Sequence, residues 1–217
     1  MQKIRVRAHA KINLYLDVVG KREDGYHNLE TVFHSIGLHD DVIIRKQDTN
    51  AITVRCGHPA VPSDASNLAY RAAERLSDAV GGIGGLSIEI EKRIPVAAGL
   101  AGGSADAAAV LHGVNELFQL GFTQEKLMHF GAQLGADVPF CLHGGAAFGT
   151  GIGDQLTRLP ALSDLSLLLL NPGIEISTAA VFKKLNFSLT KPENACIIIR
   201  THIENGDVLG VSEGLYN

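Results

Sequence analysis

A glycine-rich bend set between a strand and a helix constrains this chain more than any other feature of it. Leu86-Ser87-Ile88-Glu89-Ile90-Glu91 alternates apolar and polar residues with a period of two, the pattern of a half-buried strand with an acidic outer face. Pro95-Val96-Ala97-Ala98-Gly99-Leu100-Ala101-Gly102-Gly103 follows, and an alanine-rich, proline-free stretch from Ser104 to Leu120 predicts a helix. Small residues let main-chain N–H groups approach an anion. The helix directs its unpaired N-terminal amides and the positive end of its dipole at the same point, so the arrangement suits a phosphate. A glycine-rich turn that only packs helix on strand is the plainer reading, and the length and context of this loop weigh against it. There is no G-x-x-x-x-G-K-[ST], and Asp106 stands where a Gly-x-Ser-x-Gly elbow needs its last glycine, so neither a P-loop nor a serine hydrolase fits.

The flanking segments predict an α/β chain. Met1 to Arg7 alternates apolar and basic residues and reads as a strand, as does Lys11 to Gly20, where Ile12, Leu14, Leu16 and Val18 alternate with Asn13, Tyr15 and Asp17 and Gly20 ends the strand. Lys21 to Asn28 is polar with an Asp-Gly turn signal, and Thr31–Ile36 and Val42–Arg45 read as two further strands. Ala65 to Val80 predicts an amphipathic helix with Ser63 and Asp64 as cap candidates, and Thr123 to Leu134 a second helix after the alanine-rich one. Gly144–Gly153 reads as a turn-rich strand or loop. Pro160-Ala161 is the candidate domain boundary, giving domains 1–160 and 161–217, the second opening with a buried strand, Leu165–Leu170. Ser177–Leu185 and Glu193–Asn205 are helix candidates, the latter weakened by the β-branched run Ile197-Ile198-Ile199.

Composition narrows the function classes. The 217 residues are 46% hydrophobic and 19% charged, which excludes a disordered chain, and the net charge of -4 supplies no overall field for nucleic acid or anionic membranes. Three widely spaced cysteines without a C-x-x-C argue for reduced thiols in a cytoplasmic setting and against a zinc site. The longest strongly apolar run falls far short of the ~20 residues that span a bilayer, and the N-terminus lacks the apolar core of a secretory signal. A soluble chain, a monomer or weak homodimer with no nucleic-acid or membrane partner, is expected.

The glycine loop without a following lysine resembles the second motif of the GHMP kinases, the superfamily of galactokinase, homoserine, mevalonate and phosphomevalonate kinases. Three further segments narrow the resemblance: Ala8-His9-Ala10-Lys11-Ile12-Asn13-Leu14-Tyr15-Leu16, Asp24-Gly25-Tyr26-His27-Asn28-Leu29-Glu30-Thr31 and Leu134-Gly135-Ala136-Asp137-Val138-Pro139-Phe140. Together, in this order, they resemble the branch that phosphorylates 4-diphosphocytidyl-2-C-methyl-D-erythritol in the non-mevalonate route to isoprenoid precursors. The resemblance runs from about Arg7 to at least Phe182. It implies a two-domain GHMP fold: an N-terminal ATP-binding domain like ribosomal protein S5 domain 2, and a ferredoxin-like C-terminal domain, here incomplete. It also implies transfer of the γ-phosphoryl of ATP, with Mg²⁺, to the substrate's 2-hydroxyl.

The resemblance gives each matched residue a task. Asp137 would orient the hydroxyl or accept its proton, and Lys11 would keep that carboxylate ionised and offset charge on the moving phosphoryl group. Alone, Lys11 reads as a solvated strand cation and Asp137 as a turn or helix-end residue. Asn13, two residues from Lys11 on an alternating strand, shares its face and is assigned to substrate. Tyr26 and His27 would recognise cytosine, with Phe182, near Thr178, closing its other side; by itself Tyr26 reads as a loop anchor, His27 as a surface histidine and Phe182 as core. The ATP side comprises Pro95, Ala97, Gly99, Leu100, Ala101, Gly102, Gly103 and Ser104, with Ser104 or Asp106 as candidate contacts to a phosphate-bound Mg²⁺. Asn67 resembles a position near the adenine, its plainer role being a helix cap. Ala101 stands where many relatives have glycine, which alanine tolerates if φ is negative. The family carries a third, Gly-Ser-Gly motif near its C-terminus that this sequence does not reach, which leaves two alternatives open: an inactive nucleotide-binding fragment, or a GHMP kinase for another small alcohol.

Overall fold

The computed structural model describes residues 2–163, 165–173 and 194–217. Contacts divide the chain into two units, Met1–Ala10 with Ile36–Val96 and Leu100–His143, and Lys11–Ser35 with Ala97–Gly99 and Gly144–Asn217. Two long strands, β1 (Lys3–Lys21) and β2 (His27–Gln47), contribute residues to both.

In the first unit β2 pairs antiparallel with β4 (Gly85–Glu91), from Asp41 opposite Glu91 to Gln47 opposite Gly85. β4 pairs parallel with β3 (Ile52–Cys56), and parallel neighbours need a crossover, which α1 (Leu68–Ala79) supplies. The alternation in β4 does what its period demands: Leu86, Ile88 and Ile90 are buried, while Glu89 faces outward and accepts from Arg45 at 2.6 Å. Three more helices follow, α2 (Gly102–Leu117), α3 (Gln124–Ala132) and α4 (Val138–His143). α2 packs against α1 and α4 and is buried from Ala105 to Leu111, which explains its alanines: small side chains let it lie close to neighbours on several sides. At Gly113 a Cβ would sit 2.6 Å from Cδ1 of the fully buried Ile44, so the helix reaches the strand only because that side chain is missing. Leu76, Leu86, Ile88, Val110 and Leu111 belong to the core. Cutting the fully buried Leu76 back to Ala would cost about 2–5 kcal/mol.

In the second unit β2 pairs antiparallel with β5 (Ala146–Thr150), from Thr31 opposite Gly149 to His34 opposite Ala146, and β5 pairs with β6 (Gln155–Leu159). Two helices, α5 (Ala195–Glu204) and α6 (Val208–Glu213), complete what is described. Leu14, Val32, Leu159, Ile199, Ile203 and Val211 form its core. Tyr216 closes back on β1: Leu16 N–H donates to its carbonyl at 2.8 Å, and its ring stacks on Tyr15 at 5.6 Å. Cys196 is buried here, and burial, with Glu30 nearby, pushes its thiol up to about 11.

Several expectations need correction. Thr31–Ile36 and Val42–Arg45 are one continuous strand, because β2 exchanges its partner from β5 to β4 without breaking. β3 is an additional strand: it is only five residues long, with Ile52, Val54 and Cys56 alternating with Thr53 and Arg55, and its pairing with β4 rather than its length makes it a strand. α1 is capped by Asn67, not by Ser63 or Asp64; Asp64 instead accepts from the N–H and hydroxyl of Ser66, closing a turn ahead of the helix. Leu165–Leu170 is not a buried strand: no described strand pairs with it, and Leu168 and Leu170 are 84% and 85% exposed. An apolar run is buried only where another layer covers it. The run Ile197-Ile198-Ile199 stays helical in α5 although Ile197 and Ile198 are exposed, because Ile199, with Ile203 one turn on, is fully buried and that tertiary burial outweighs the modest propensity cost. The Ser177–Leu185 helix lies outside the described residues. Among the described residues, no helix is long and apolar enough to cross a membrane.

Candidate active site

The glycine bend is open to solvent, with Pro95, Ala97, Gly99 and Gly103 exposed. Ala97, Gly99 and Ala101 have φ of 55°, 74° and 56°, with negative φ between them. Alternation of this kind turns successive N–H groups toward one side, the backbone geometry of an anion-binding concavity. Ala101 therefore does not meet the condition of negative φ. It is the N-cap of α2 in the left-handed region, a conformation that costs an L-residue about 1–2 kcal/mol. Its methyl side chain caps nothing, so the first amides of α2 receive no side-chain acceptor from it.

Beneath the bend lies a cluster that residue patterns alone did not single out. Lys92 Nζ donates to Asp40 Oδ2 at 2.6 Å and to Asp106 Oδ2 at 2.9 Å, and all three side chains are almost entirely buried. Asp40 Oδ1 accepts from the main-chain N–H groups of Arg93 at 2.5 Å and Ile94 at 2.9 Å. Burial alone would lower the pKa of Lys92, but Asp106 and Asp40 together raise it above the ordinary lysine value. Burial pushes Asp106 up to about 7 against the opposing pull of Lys92, and its Oδ1 has no hydrogen-bond partner. Of the three only Asp106 carries a sequence signal, as a candidate Mg²⁺ contact; Asp40, 52 residues before Lys92, and Lys92, 14 residues before Asp106, read as ordinary surface charges. Beside Lys92 a cavity of about 610 Å³ opens, lined also by Arg55, Cys56, His58 and Glu89.

Other predicted residues of the first unit gather round the start of α2. A Cβ at Gly103 would lie 3.7 Å from Leu68, and one at Gly135 3.8 Å from the Ser104 hydroxyl. Asn67 is a cap: Oδ1 accepts from Ala69 N–H at 2.8 Å and Nδ2 donates to the Pro62 carbonyl at 2.6 Å. Both ends of its amide are thus engaged within the protein. Asp137 is half-buried where α4 begins, its carbonyl accepting from Cys141 N–H at 3.1 Å.

In the second unit Lys11, though 92% buried, donates to Asn13 Oδ1 at 2.8 Å, with Nζ 5.5 Å from the centre of the Phe33 ring. Asn13 Nδ2 donates to Thr31 Oγ1, which donates in turn to the Tyr15 carbonyl, each at 2.7 Å. The shared face predicted for Lys11 and Asn13 is therefore real. Tyr26 is 61% exposed on a turn held by Asp24, which accepts from Tyr26 N–H at 3.1 Å and pairs with Arg22 at 2.8 Å. His27 opens β2. Thr178 and Phe182 lie outside the described residues.

Comparison with known proteins agrees with this geometry. Residues 67–145 match the family described as GHMP kinases N terminal domain. The chain is 47% identical over 207 residues to the 4-diphosphocytidyl-2-C-methyl-D-erythritol kinase of Acetivibrio thermocellus, covering 94% of this chain and 73% of that one. It is 47% identical to the enzyme of the same name from Citrifermentans bemidjiense, with 96% and 74% covered. A crystal structure of 4-(cytidine 5'-diphospho)-2C-methyl-D-erythritol kinase superposes with a TM-score of 0.74 at 33% identity, over 94% of this chain and 72% of that one. A homoserine kinase from Cytophaga hutchinsonii, 18% identical with a TM-score of 0.72, covers all of this chain and 72% of its own and shares the fold. An open glycine bend leading into an uncapped helix, on a fold and a sequence shared this widely, leaves one assignment: the chain belongs to the 4-diphosphocytidyl-2-C-methyl-D-erythritol kinase family of GHMP kinases.

Proposed function

We propose that this chain transfers the γ-phosphoryl group of ATP to the 2-hydroxyl of 4-diphosphocytidyl-2-C-methyl-D-erythritol. The observation that carries the reading is the bend itself: three left-handed residues in an exposed loop running into a helix whose N-cap has no polar side chain, in a chain with this family membership. Phosphoryl transfer asks little covalent chemistry of a protein; it asks that hydroxyl and phosphate be held in line and that the moving charge be stabilised. The amides of the bend and of Gly102, Gly103 and Ser104 supply the stabilisation on the nucleotide side, and the cavity beside Lys92 has room for the nucleoside.

On the acceptor side Asp137 orients the 2-hydroxyl and takes its proton as the O–P bond forms, Lys11 balances the charge, and Asn13 donates to the substrate. Tyr26, already presented by its turn, offers a flat face to cytosine, with His27 beside it and Phe182 and Thr178 as the remaining contacts. Asn67 acts as the cap that fixes the start of α1 next to the bend. Magnesium would arrive with the nucleotide, and Ser104 and Asp106 are the residues that would meet it: Lys92 engages only Oδ2 of Asp106, and Oδ1 has no hydrogen-bond partner. Bound there, the ion would neutralise phosphate charge. The three cysteines, none of them in a disulfide, fit a cytoplasmic enzyme.

The deciding experiment incubates the chain with ATP, Mg²⁺ and the cytidyl substrate and follows the 2-phosphate product by ³¹P NMR. Product formation at a steady rate supports the reading. Binding of both ligands without product identifies a nucleotide-binding remnant, and turnover of a different alcohol in preference identifies another GHMP activity.

A further inference from the structure

We propose that Asp40 is a positioning residue for the phosphate bend, acting through Lys92 and the main chain of Arg93 and Ile94 on the first turn of α2. The proposal rests on the reading of that bend as the triphosphate site. Asp40 is fully buried, and its carboxylate takes hold of three consecutive residues: Oδ2 accepts from the Lys92 side chain, Oδ1 from the N–H groups of Arg93 and Ile94. Those residues lead directly into Pro95, so one side chain fixes the direction in which the chain leaves β4. Lys92 then carries the constraint across to Asp106, in the second turn of α2. A third contact ties the same parts together. A Cβ at Gly102 would lie 3.0 Å from Lys92 Nζ and 3.1 Å from Ile94 Cγ2, so the first helical residue rests on two of the residues that Asp40 secures. Entry to and exit from the bend are thereby held from one buried carboxylate, with every lone pair it needs satisfied by charged or main-chain donors.

The substitution Asp40→Asn separates these roles. The amide oxygen still accepts from Arg93 and Ile94, while its NH₂ confronts the Lys92 ammonium, donor against donor, and releases it. The KM for ATP should rise about tenfold, while the KM for the cytidyl substrate changes less than about twofold and the protein keeps its circular dichroism spectrum. Equal increases in both KM values, or an unchanged ATP affinity, would overturn the proposal. Should Asp40→Asn fail to fold, Lys92→Met fills the same space without the charge and should show the same selective loss; wild-type ATP affinity in that variant overturns the proposal equally. ATP binding measured by calorimetry keeps the two levels apart. A wild-type chain that binds no ATP refutes the phosphate reading and this proposal with it, whereas normal ATP binding by both wild type and variants refutes the positioning role alone.

Discussion

The Lys11 ammonium donates to the side-chain oxygen of Asn13 at 2.8 Å, two residues along one face of the same strand. Because Asn13 gives its NH₂ to Thr31 Oγ1, its oxygen has one orientation available, and the lysine is aimed by a chain of hydrogen bonds ending on main chain. A cation fixed in this way needs no reorganisation when charge develops. Lys11→Met should therefore lower kcat about 10²-fold or more while changing KM for either substrate only slightly. Steady-state kinetics measure this, and a kcat within threefold of wild type would remove Lys11 from the transition state.

Asp137 sits half-buried where α4 begins, so its loss should be felt in chemistry before stability. Asp137→Asn is expected to reduce kcat on the order of 10²-fold, the scale of a positioned acid/base group. The thermal midpoint should stay within a few degrees of wild type. An unaltered rate would show that the hydroxyl is activated elsewhere.

Tyr26 projects from a turn whose geometry Asp24 and Arg22 maintain, so its ring is not needed for folding. Tyr26→Ala should change stability by no more than about 0.5 kcal/mol. The KM for the cytidyl substrate should rise and that for ATP should not. If both KM values stay put, cytosine is held by other residues or the alcohol is a different one.

The carboxyl of Asp106 stands at about 7 because it is buried, against an ordinary aspartate value near 4. A group raised in this direction binds a proton on folding. The stability it lends is complete below about pH 4 and is lost as the pH climbs through about 7. Asp106→Asn is a neutral isostere without that loss, so the variant's thermal midpoint should gain on the wild type between pH 5 and 8. Parallel pH profiles would mean that Asp106 is ionised throughout.

Ala101 and Ala97 occupy the left-handed region with a Cβ that disfavours it. Ala101→Gly relieves about 1–2 kcal/mol of backbone strain and gives back about 0.4–1 kcal/mol in unfolded-chain entropy. A net gain of several tenths of a kcal/mol to about 1 kcal/mol should appear in urea unfolding. A destabilised variant would show that the methyl group contributes packing that outweighs the strain.

Local signals carried much of the architecture. β4 is readable because Leu86, Ile88 and Ile90 face a core while Glu89 does not, and α2 because an alanine-rich, proline-free stretch follows the bend. Asn67 was legible as a cap, though Ser63 and Asp64 competed for the role with equally suitable side chains. Asp106 is legible as a site residue from the motif it stands in, but its partners are not: Asp40 and Lys92 are polar and unremarkable in their own neighbourhoods, and only tertiary folding buries the three together. Leu165–Leu170 misled in the opposite sense: hydrophobicity measures what a segment would gain from cover, not whether cover exists.

Cys196 gives the folded chain a silent thiol. With its pKa at about 11, only about one molecule in 10⁴ carries the thiolate at neutral pH, and the side chain is screened from solvent as well. Cys56 and Cys141 are partly accessible, so a maleimide dye will tag those two positions first, and attachment of a third label will time the opening of the α5 core.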